Sequence, residues 1–234
     1  MVKNSVWIQQ KIEGVKLYVY RSNVKDATTI YFLDGDQFEE SFNHWIRKHQ
    51  PALNFVLINA NNRTDDYTPW PLQASETMPM DFGGKAAEHL SFFVKHVIPF
   101  CESEYGFASS TEKRVIGGYS LGGLFSLYAA VNTDLFGNVL SCSSLWYPDF
   151  LDYLKEHPFK AAHSKLYMSV GDQEGTTATN LTATQTVNTL ALKEFYEPKF
   201  QAGDFNFTLE EGNHGNDISG RAWRAVEWVE ENSK

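Results

Sequence analysis

The stretch of sequence that decides the fold is Arg114-Val-Ile-Gly-Gly-Tyr-Ser-Leu-Gly-Gly-Leu-Phe-Ser-Leu-Tyr128. Within it, the pattern Gly118-x-Ser120-x-Gly122 lies between an apolar strand and an amphipathic helix, which is the arrangement of a nucleophile elbow. The serine of such an elbow occupies a tight, strained turn, and the glycines on both sides remove side chains that would collide where the strand and the helix approach each other. The pattern therefore predicts that Ser120 is a nucleophile. The alternative is a glycine-rich turn in which its hydroxyl only caps the helix.

Short apolar runs and helical stretches alternate on both sides of this turn. Most of the apolar runs are continuous, as in strands that are covered on both faces, and they occupy residues 29–33, 54–59, 114–118, 138–142, 165–170 and 206–209. Helical patterns occupy residues 38–48, 84–104, 121–131, 149–156, 180–196 and 217–230. Residues 6–20 alternate apolar and polar side chains around Glu13-Gly14, which indicates a hairpin. The sequence thus predicts an α/β protein in one domain, residues 1–234, with a mostly parallel central sheet, an N-terminal antiparallel hairpin and helices on both faces.

The composition narrows the classes of protein and partner. A chain of 234 residues with 42% hydrophobic residues can bury a sizeable core, which excludes a disordered or coiled-coil protein. A net charge of -9 argues against a nucleic-acid partner. The two cysteines, Cys101 and Cys142, are too few for a disulfide scaffold and are typical of a reducing compartment. With neither a secretory signal nor a membrane-length apolar segment in the sequence, we expect a cytoplasmic protein without a membrane partner.

A serine needs a base that takes its proton, and His214 is the candidate. Of the seven histidines, it alone follows the last predicted strand in a short loop with flanking glycines, which could reach back over the strand ends. Without the elbow, His214 would be interpreted as a solvated loop residue. No His-x-x-x-His or Cys-x-x-Cys spacing supports a metal site, so we expect neither a metal nor a cofactor.

The third member of a triad is a carboxylate that orients the imidazole, and in this fold it lies between the serine and the histidine in the sequence. The turn Gly171-Asp-Gln-Glu-Gly175 follows a predicted strand in that interval and offers both Asp172 and Glu174. Glu174 is favoured because it lies farther into the loop and could arch towards His214. Asp172 remains the alternative.

Two backbone N–H groups should form an oxyanion hole. One would come from Leu121, directly after the serine. The other would come from the loop after an earlier strand, where Leu33-Asp-Gly-Asp-Gln37 is suitable. Gly35 allows a sharp turn there, which would present the amide of Asp36.

Five segments of the chain resemble, in the same order, segments of the "putative esterase" group of α/β-hydrolases. They are Asp34-Gly35 after a strand, Arg63-Thr-Asp-Asp-Tyr-Thr-Pro69, Gly118-Tyr-Ser-Leu-Gly-Gly123, Ser143-Ser-Leu-Trp146 and Gly212-Asn-His214. The group includes enterochelin and other siderophore esterases, S-formylglutathione hydrolases (esterase D), feruloyl and acetyl-xylan esterases, and mycolyltransferases. The chain is most similar to the siderophore-esterase-like branch. The resemblance implies an α/β-hydrolase fold, here with little or no lid because the chain is short.

The same resemblance assigns residues to roles. It implies Ser120 as nucleophile, His214 as base and Glu174 as acid, and the amides of Leu121 and Asp36 as oxyanion donors. Some siderophore esterases work with a serine–histidine dyad, so a dyad stays open. The resemblance also implies that three further residues line the substrate cleft: Arg63, Tyr67 and Trp146. We expect two departures from the group: the absence of the signal peptide of its secreted relatives and the absence of a basic cluster that would hold a triply anionic ferric catecholate.

The sequence therefore predicts a cofactor-independent serine esterase acting on a small-molecule ester. An acyltransferase or a carbohydrate (feruloyl or acetyl) esterase on the same triad is the alternative, and a homodimer stays open because Trp223 and Trp228 suit either a core or an interface. A metal-dependent phosphatase would explain Asp34-Gly-Asp36, but Gln37 stands where that group needs Thr or Val. A non-catalytic binding protein on a hydrolase scaffold would be expected to lose part of the elbow, which this chain keeps.

Overall fold

The computed structural model describes residues 5–75, 80–175 and 181–233. Its strands are β1 (Ile8–Ile12), β2 (Val15–Tyr20), β3 (Thr28–Leu33), β4 (Leu53–Ile58), β5 (Pro71–Leu72), β6 (Phe82–Gly83), β7 (Arg114–Tyr119), β8 (Asn138–Cys142), β9 (Lys165–Gly171) and β10 (Phe205–Glu210). Its α-helices are α1 (Gly35–His49), α2 (Arg63–Asp66), α3 (Ala86–Phe92), α4 (Ile98–Tyr105), α5 (Leu121–Asn132), α6 (Phe150–Glu156), α7 (Gln185–Tyr196) and α8 (Ile218–Glu231).

Eight of these strands form the central sheet in the order β1-β2-β4-β3-β7-β8-β9-β10. The hairpin β1–β2 and the pair β2–β4 are antiparallel, and every later neighbour in the sheet is parallel. Strands β5 and β6 form a separate two-stranded antiparallel sheet. The predicted α/β class, the mostly parallel sheet and the N-terminal hairpin are confirmed.

The sheet is covered on both faces because successive strand residues point to opposite sides. In β3, for example, Ile30 and Phe32 pack with the aromatic side chains of α1 and the small side chains of α8, whereas Tyr31 and Leu33 pack with α3, α5 and their neighbours. Trp223 and Trp228 of α8 are partly buried against the first of these two cores. Within the described residues, no helix is long and apolar enough to cross a membrane.

The structure differs from the predicted helices and strands in three places. The helix predicted over residues 84–104 is interrupted by a π-helical turn at Phe93–Val97, just before Pro99, whose ring cannot donate a backbone hydrogen bond and crowds the preceding turn. The helix predicted over residues 180–196 begins at Gln185, after a 3₁₀ turn at Leu181–Thr184; residue 180 lies outside the described residues. The short helix α2 and the β5–β6 sheet carry too few residues to produce a periodic pattern.

The arrangement brings several loops to one edge of the sheet. Strands β3, β7, β8, β9 and β10 run parallel, so their carboxyl ends lie along the same edge. Ligands of open α/β sheets bind at this edge. The elbow follows β7, the two candidate carboxylates follow β9, and His214 follows β10.

Candidate active site

Ser120 lies in the turn between β7 and α5, with φ 60° and ψ −120°. This is a conformation that a residue with a side chain adopts only at a cost, and the surrounding contacts maintain it. The Ser120 amide donates to the Cys142 carbonyl at 3.0 Å, and the Ser120 carbonyl accepts the Leu145 amide at 3.1 Å. A Cβ atom on Gly118 would lie 2.6 Å from the carbonyl carbon of Gly122, so the first glycine of the pattern cannot be replaced without a shift of the backbone.

His214 lies beside the serine. Its Nε2 atom is 3.1 Å from the Ser120 Oγ atom. The loop between β10 and α8 carries it, and two features fix that loop: the Tyr119 hydroxyl donates to the His214 carbonyl at 2.7 Å, and Gly212 adopts φ 96°. A Cβ atom on Gly212 would lie 2.6 Å from the Asn216 side-chain oxygen, so a glycine is needed there. The predicted serine–histidine pair is within hydrogen-bond distance.

Glu174 is the carboxylate that contacts His214. Its Oε2 atom lies 2.8 Å from the His214 Nδ1 atom, and its side chain is fully buried. Asp172 points elsewhere: its Oδ1 atom accepts the Gly212 amide at 2.8 Å on the exposed side of the loop. Of the two carboxylates that the sequence left open, the structure brings Glu174 to the imidazole and uses Asp172 to hold the loop.

The charge state of Glu174 suits a partner of the imidazole. Burial alone would raise the pKa of Glu174, but hydrogen bonds from His214, from the Gly171 amide and from the Ser143 hydroxyl outweigh it and hold that pKa below its ordinary value. Glu174 is therefore a carboxylate at neutral pH, and a carboxylate can accept the Nδ1–H of His214.

The two predicted oxyanion donors differ in their availability. Leu121 is the first residue of α5, where an amide has no acceptor within the helix. The Asp36 amide instead donates to the Asn59 Oδ1 atom at 2.8 Å. Helix α1 begins at Gly35, which places Asp36 in a first turn that also lacks intrahelical acceptors, and Asn59 supplies one from the end of β4. Sequence alone did not show this partner.

Arg63 lies against the elbow. Its Nε atom donates to the Asp34 carboxylate at 2.8 Å and its Nη2 atom to the Tyr119 carbonyl at 3.3 Å, while 37% of its side chain remains exposed. Burial raises the pKa of Asp34, and the guanidinium of Arg63 opposes that rise. Arg63 is thus placed where a substrate could meet it.

Tyr67 and Trp146 are not placed where the resemblance implied. The Tyr67 side chain is fully buried and its hydroxyl accepts the Asp34 amide at 3.3 Å. Trp146 is 2% exposed, and its Nε1 atom donates to the Thr189 hydroxyl at 2.8 Å. Both aromatic rings support the wall of the site from within the core, because the loops that carry them turn inward, and they present no surface to a ligand.

Sequence reasoning missed two buried polar residues around the triad. Gln185 in α7 donates through Nε2 to the Ser143 and Ser144 carbonyls, each at 3.2 Å, and lies 3.1 Å from the His214 Nδ1 atom. Arg221 in α8 contacts Glu174. A signal for Arg221 existed, because it lies four residues before Ala225 on the apolar face of α8, where a charge needs a buried partner.

Asp34 and Asp36, which suggested a phosphatase, do not converge on a common point. Asp34 pairs with Arg63, whereas the Asp36 carboxylate pairs with Lys16 at 2.5 Å and accepts the Tyr18 hydroxyl at 2.5 Å. Within the described part of the chain, no group of three or more His, Cys, Asp and Glu side chains is arranged to hold a metal ion.

Comparison with known proteins gives a family and a fold. A family model described as "Putative esterase" matches residues 9–225. The protein YbbA of Bacillus subtilis (strain 168) is 30% identical over 154 residues, which are 65% of this chain and 60% of YbbA. The iron(III) enterobactin esterase of Escherichia coli (strain K12) is 26% identical over 195 residues, 74% of this chain and 45% of that esterase. The chain thus spans 60% and 45% of the lengths of these two curated relatives.

Among solved structures, that of the BES protein from Bacillus cereus superposes with a TM-score of 0.76 at 20% sequence identity. The match covers 98% of this chain and 95% of that one. At this level of identity the likeness concerns the fold alone, and it confirms the predicted α/β-hydrolase fold.

Proposed function

This chain belongs to the "Putative esterase" family, and on that premise we propose that it is a serine hydrolase that cleaves a carboxylic ester of a small molecule. The observation that carries the proposal is the continuous chain from the Ser120 Oγ atom to His214 Nε2 at 3.1 Å and from His214 Nδ1 to Glu174 Oε2 at 2.8 Å. These contacts are what a nucleophile, a base and an orienting acid require.

In the proposed reaction, the Ser120 oxygen attacks the ester carbonyl while His214 accepts the hydroxyl proton at Nε2. Glu174 holds the Nδ1–H of the imidazole and stabilises its charged form. The proton then passes from His214 to the leaving alkoxide, and an acyl group remains on Ser120. A water molecule, activated by the same histidine, releases the acid and restores the serine.

The negative oxygen of the tetrahedral intermediate needs donors that are already in position. We assign the Leu121 amide as one of them. The Asp36 amide is the second, and it becomes available when the Asn59 Oδ1 atom, now 2.8 Å away, releases it. The free-energy cost of releasing the Asp36 amide is small, because the neutral hydrogen bond that is lost is replaced by a stronger one to an anion.

Arg63 is the proposed contact for a polar or anionic part of the substrate, since its guanidinium lies beside the elbow and is partly exposed. The E. coli relative is named for iron(III) enterobactin. An overall charge of -9 disfavours a triply anionic ligand here, so we propose an ester of lower charge. Both cysteines are buried and unpaired, which supports a reducing compartment and hence a cytoplasmic location.

The test is covalent labelling with a fluorophosphonate, in which the serine oxygen displaces fluoride and keeps the phosphonyl group. We expect one adduct by intact mass on the wild-type protein and none on Ser120→Ala. Ser126→Ala is the matched control, because its hydroxyl is buried in α5 and donates to the Gly122 carbonyl at 2.8 Å; it should label like the wild type. A folded wild-type protein without an adduct would refute the proposal.

A substrate panel then separates the alternatives that share the triad. It contains short-chain acyl esters, feruloyl and acetylated carbohydrate esters and a siderophore lactone, each with and without an added alcohol as acyl acceptor. Hydrolysis dependent on Ser120 supports an esterase, whereas transfer to the alcohol at the expense of hydrolysis supports an acyltransferase.

A further inference from the structure

Arg221 places a fully buried positive charge behind the triad. Its Nη1 atom lies 2.6 Å from Glu174 Oε1, 2.9 Å from the Ser143 hydroxyl and 3.3 Å from the Tyr119 hydroxyl. Its Nη2 atom donates to the Glu211 and Asn213 carbonyls, each at 3.1 Å. Burying an ion costs desolvation free energy, and the ion pair and hydrogen bonds of Arg221 offset that cost. A buried arginine is therefore hard to explain by stability alone, and its contacts include the acid of the triad.

The contacts divide the two oxygens of Glu174 between two tasks. Oε1 accepts the Ser143 hydroxyl at 2.8 Å and the Gly171 amide at 2.7 Å in addition to Arg221. Oε2 faces His214. With three donors on Oε1, the carboxylate plane cannot rotate without breaking a hydrogen bond, and Oε2 stays directed at the imidazole.

The second nitrogen of Arg221 acts on the loop that carries His214. The carbonyls of Glu211 and Asn213 lie just before the histidine, and both are bound to Nη2. The Tyr119 hydroxyl, which accepts from Nη1, donates in turn to the His214 carbonyl at 2.7 Å. One guanidinium therefore connects the acid to the backbone on both sides of the base.

We propose that Arg221 is a positioning residue that keeps Glu174 ionised and fixes the His214 loop at its distance from Ser120. This inference deepens the proposed hydrolase function and rests on it, since Arg221 acts through the triad. A planar fork is required, because a single ammonium could not reach the carboxylate and both carbonyls together.

Among the residues that the structure describes, the titratable and charged groups that face Glu174 come from four elements. They are His214 in the loop after β10, Arg221 in α8, Tyr119 in β7 and, behind Arg221, the Cys142 thiol of β8. Burial raises the pKa of both Tyr119 and Cys142 to about 12, so these two groups are neutral. Asp172 lies two residues away, and α7 contributes the uncharged Gln185 and Thr186. Within the described part of the chain, Arg221 is thus the permanent positive charge in contact with the Glu174 carboxylate.

Arg221→Gln tests the proposal. Loss of an adjacent positive charge raises a carboxyl pKa by about 1–3 units, so we expect the Glu174 pKa to rise by that amount. This can be measured by NMR of ¹³C-labelled glutamate, with Glu174→Gln identifying the signal. We also expect the acidic limb of the kcat/KM profile to move to higher pH by about half a unit or more, because a more basic Glu174 holds the imidazole proton more tightly, and kcat to fall about tenfold or more.

Arg114→Gln is the matched control. Arg114 is also buried and paired, with Glu102 at 2.6 Å, but it lies at the start of β7, at the opposite end of that strand from Ser120. We expect it to lower the Tm while the pH profile and the Glu174 titration stay as in the wild type. This outcome separates a change in the triad from the general effect of losing a buried arginine.

The results can overturn the proposal independently of the hydrolase assignment. A folded Arg221→Gln with an unchanged Glu174 titration and an unchanged acidic limb would overturn it, and the NMR titration needs no activity, so it decides even if Ser120 does not label. Should Arg221→Gln fail to fold, Arg221→Lys decides. It keeps the charge but not the fork, so we expect the wild-type Glu174 titration with kcat several-fold lower, and wild-type kcat would overturn the positioning role.

Discussion

Replacing Glu174 with Gln tests the triad against a serine–histidine dyad. The amide keeps the shape of the side chain but carries no charge, so it neither stabilises a charged imidazole nor enforces the tautomer with a proton on Nδ1. Because the wild-type contact between Glu174 and His214 is 2.8 Å and the Glu174 side chain is fully buried, the loss should be large. We expect kcat to fall roughly 10³- to 10⁴-fold, as for the loss of a triad acid elsewhere.

The same change should also destabilise the fold, since it leaves the charge of Arg221 unpaired 2.6 Å away. Removing one partner of a buried ion pair costs roughly 3–5 kcal/mol, and the lower end applies because the amide oxygen can still accept. For a chain of this size, each kcal/mol moves the Tm by about 2–4 °C. About 3 kcal/mol therefore corresponds to a Tm lower by about 6–12 °C.

The pH dependence of this destabilisation has a definite sign. Folding lowers the pKa of Glu174, so its ionised form adds stability above the pKa of an unfolded glutamate. That contribution is lost as the pH falls through the folded-state value. The difference in Tm between wild type and Glu174→Gln should therefore be largest at neutral pH and become smaller as the pH is lowered into the acidic range.

The assay is steady-state hydrolysis of an activated short-chain ester at neutral pH, with the Tm from circular dichroism. Asp172→Asn is the matched control: its side chain is exposed and accepts the Gly212 amide at 2.8 Å, so we expect kcat within about twofold and stability within about 0.5 kcal/mol. A Glu174→Gln enzyme that keeps more than a tenth of the wild-type kcat would refute the triad in favour of the dyad. A large loss in Asp172→Asn instead would show that the acid had been wrongly assigned.

Three further changes probe the elbow, the oxyanion loop and the Arg63 contact. Gly118→Ala places a Cβ atom 2.6 Å from the start of α5. We therefore expect the free energy of unfolding to fall by about 1–3 kcal/mol and fluorophosphonate labelling to become slower. Unchanged labelling would show that the turn is not strained. Asn59→Ala frees the Asp36 amide from its 2.8 Å hydrogen bond, and removing a competitor worth about 1 kcal/mol should raise kcat/KM about fivefold, whereas a fall would exclude Asp36 as an oxyanion donor. Arg63→Ala leaves the buried Asp34 without its ion-pair partner at 2.8 Å, and it should lower the free energy of unfolding by about 1–2 kcal/mol. Because burial already raises the pKa of Asp34, this loss in the unfolding free energy, followed by urea titration, should grow as the pH rises through that pKa; a loss that is the same at pH 5 and pH 8 would contradict this reasoning.

Much of this fold could be predicted because the strands are continuous apolar runs and because one glycine pattern fixes the strand–turn–helix unit. The predicted parallel sheet already implied that the elbow, the acid loop and the histidine loop, each directly after an apolar run, lie at the edge formed by the carboxyl ends of the strands. The local sequence pattern did not predict the position of a side chain or the availability of an amide where a contact with a segment remote in sequence determines it. Asn59 engages the Asp36 amide from a different strand, and the inward turn of the loops carrying Tyr67 and Trp146 is set by tertiary packing.

Glu174 and the buried Arg221 of the last helix depend on each other structurally. Glu174 lies deep in its loop and needs its full length to place Oε2 at 2.8 Å from His214 and Oε1 at 2.6 Å from Arg221. An aspartate at this position would draw both oxygens back by about one carbon–carbon bond, about 1.5 Å, and both contacts would then exceed hydrogen-bond distance. A buried arginine without that carboxylate would be an unpaired ion in the core. The two residues are therefore expected to change together, and their pairing, unlike the candidacy of Glu174 itself, depends on a contact between segments that are remote in sequence.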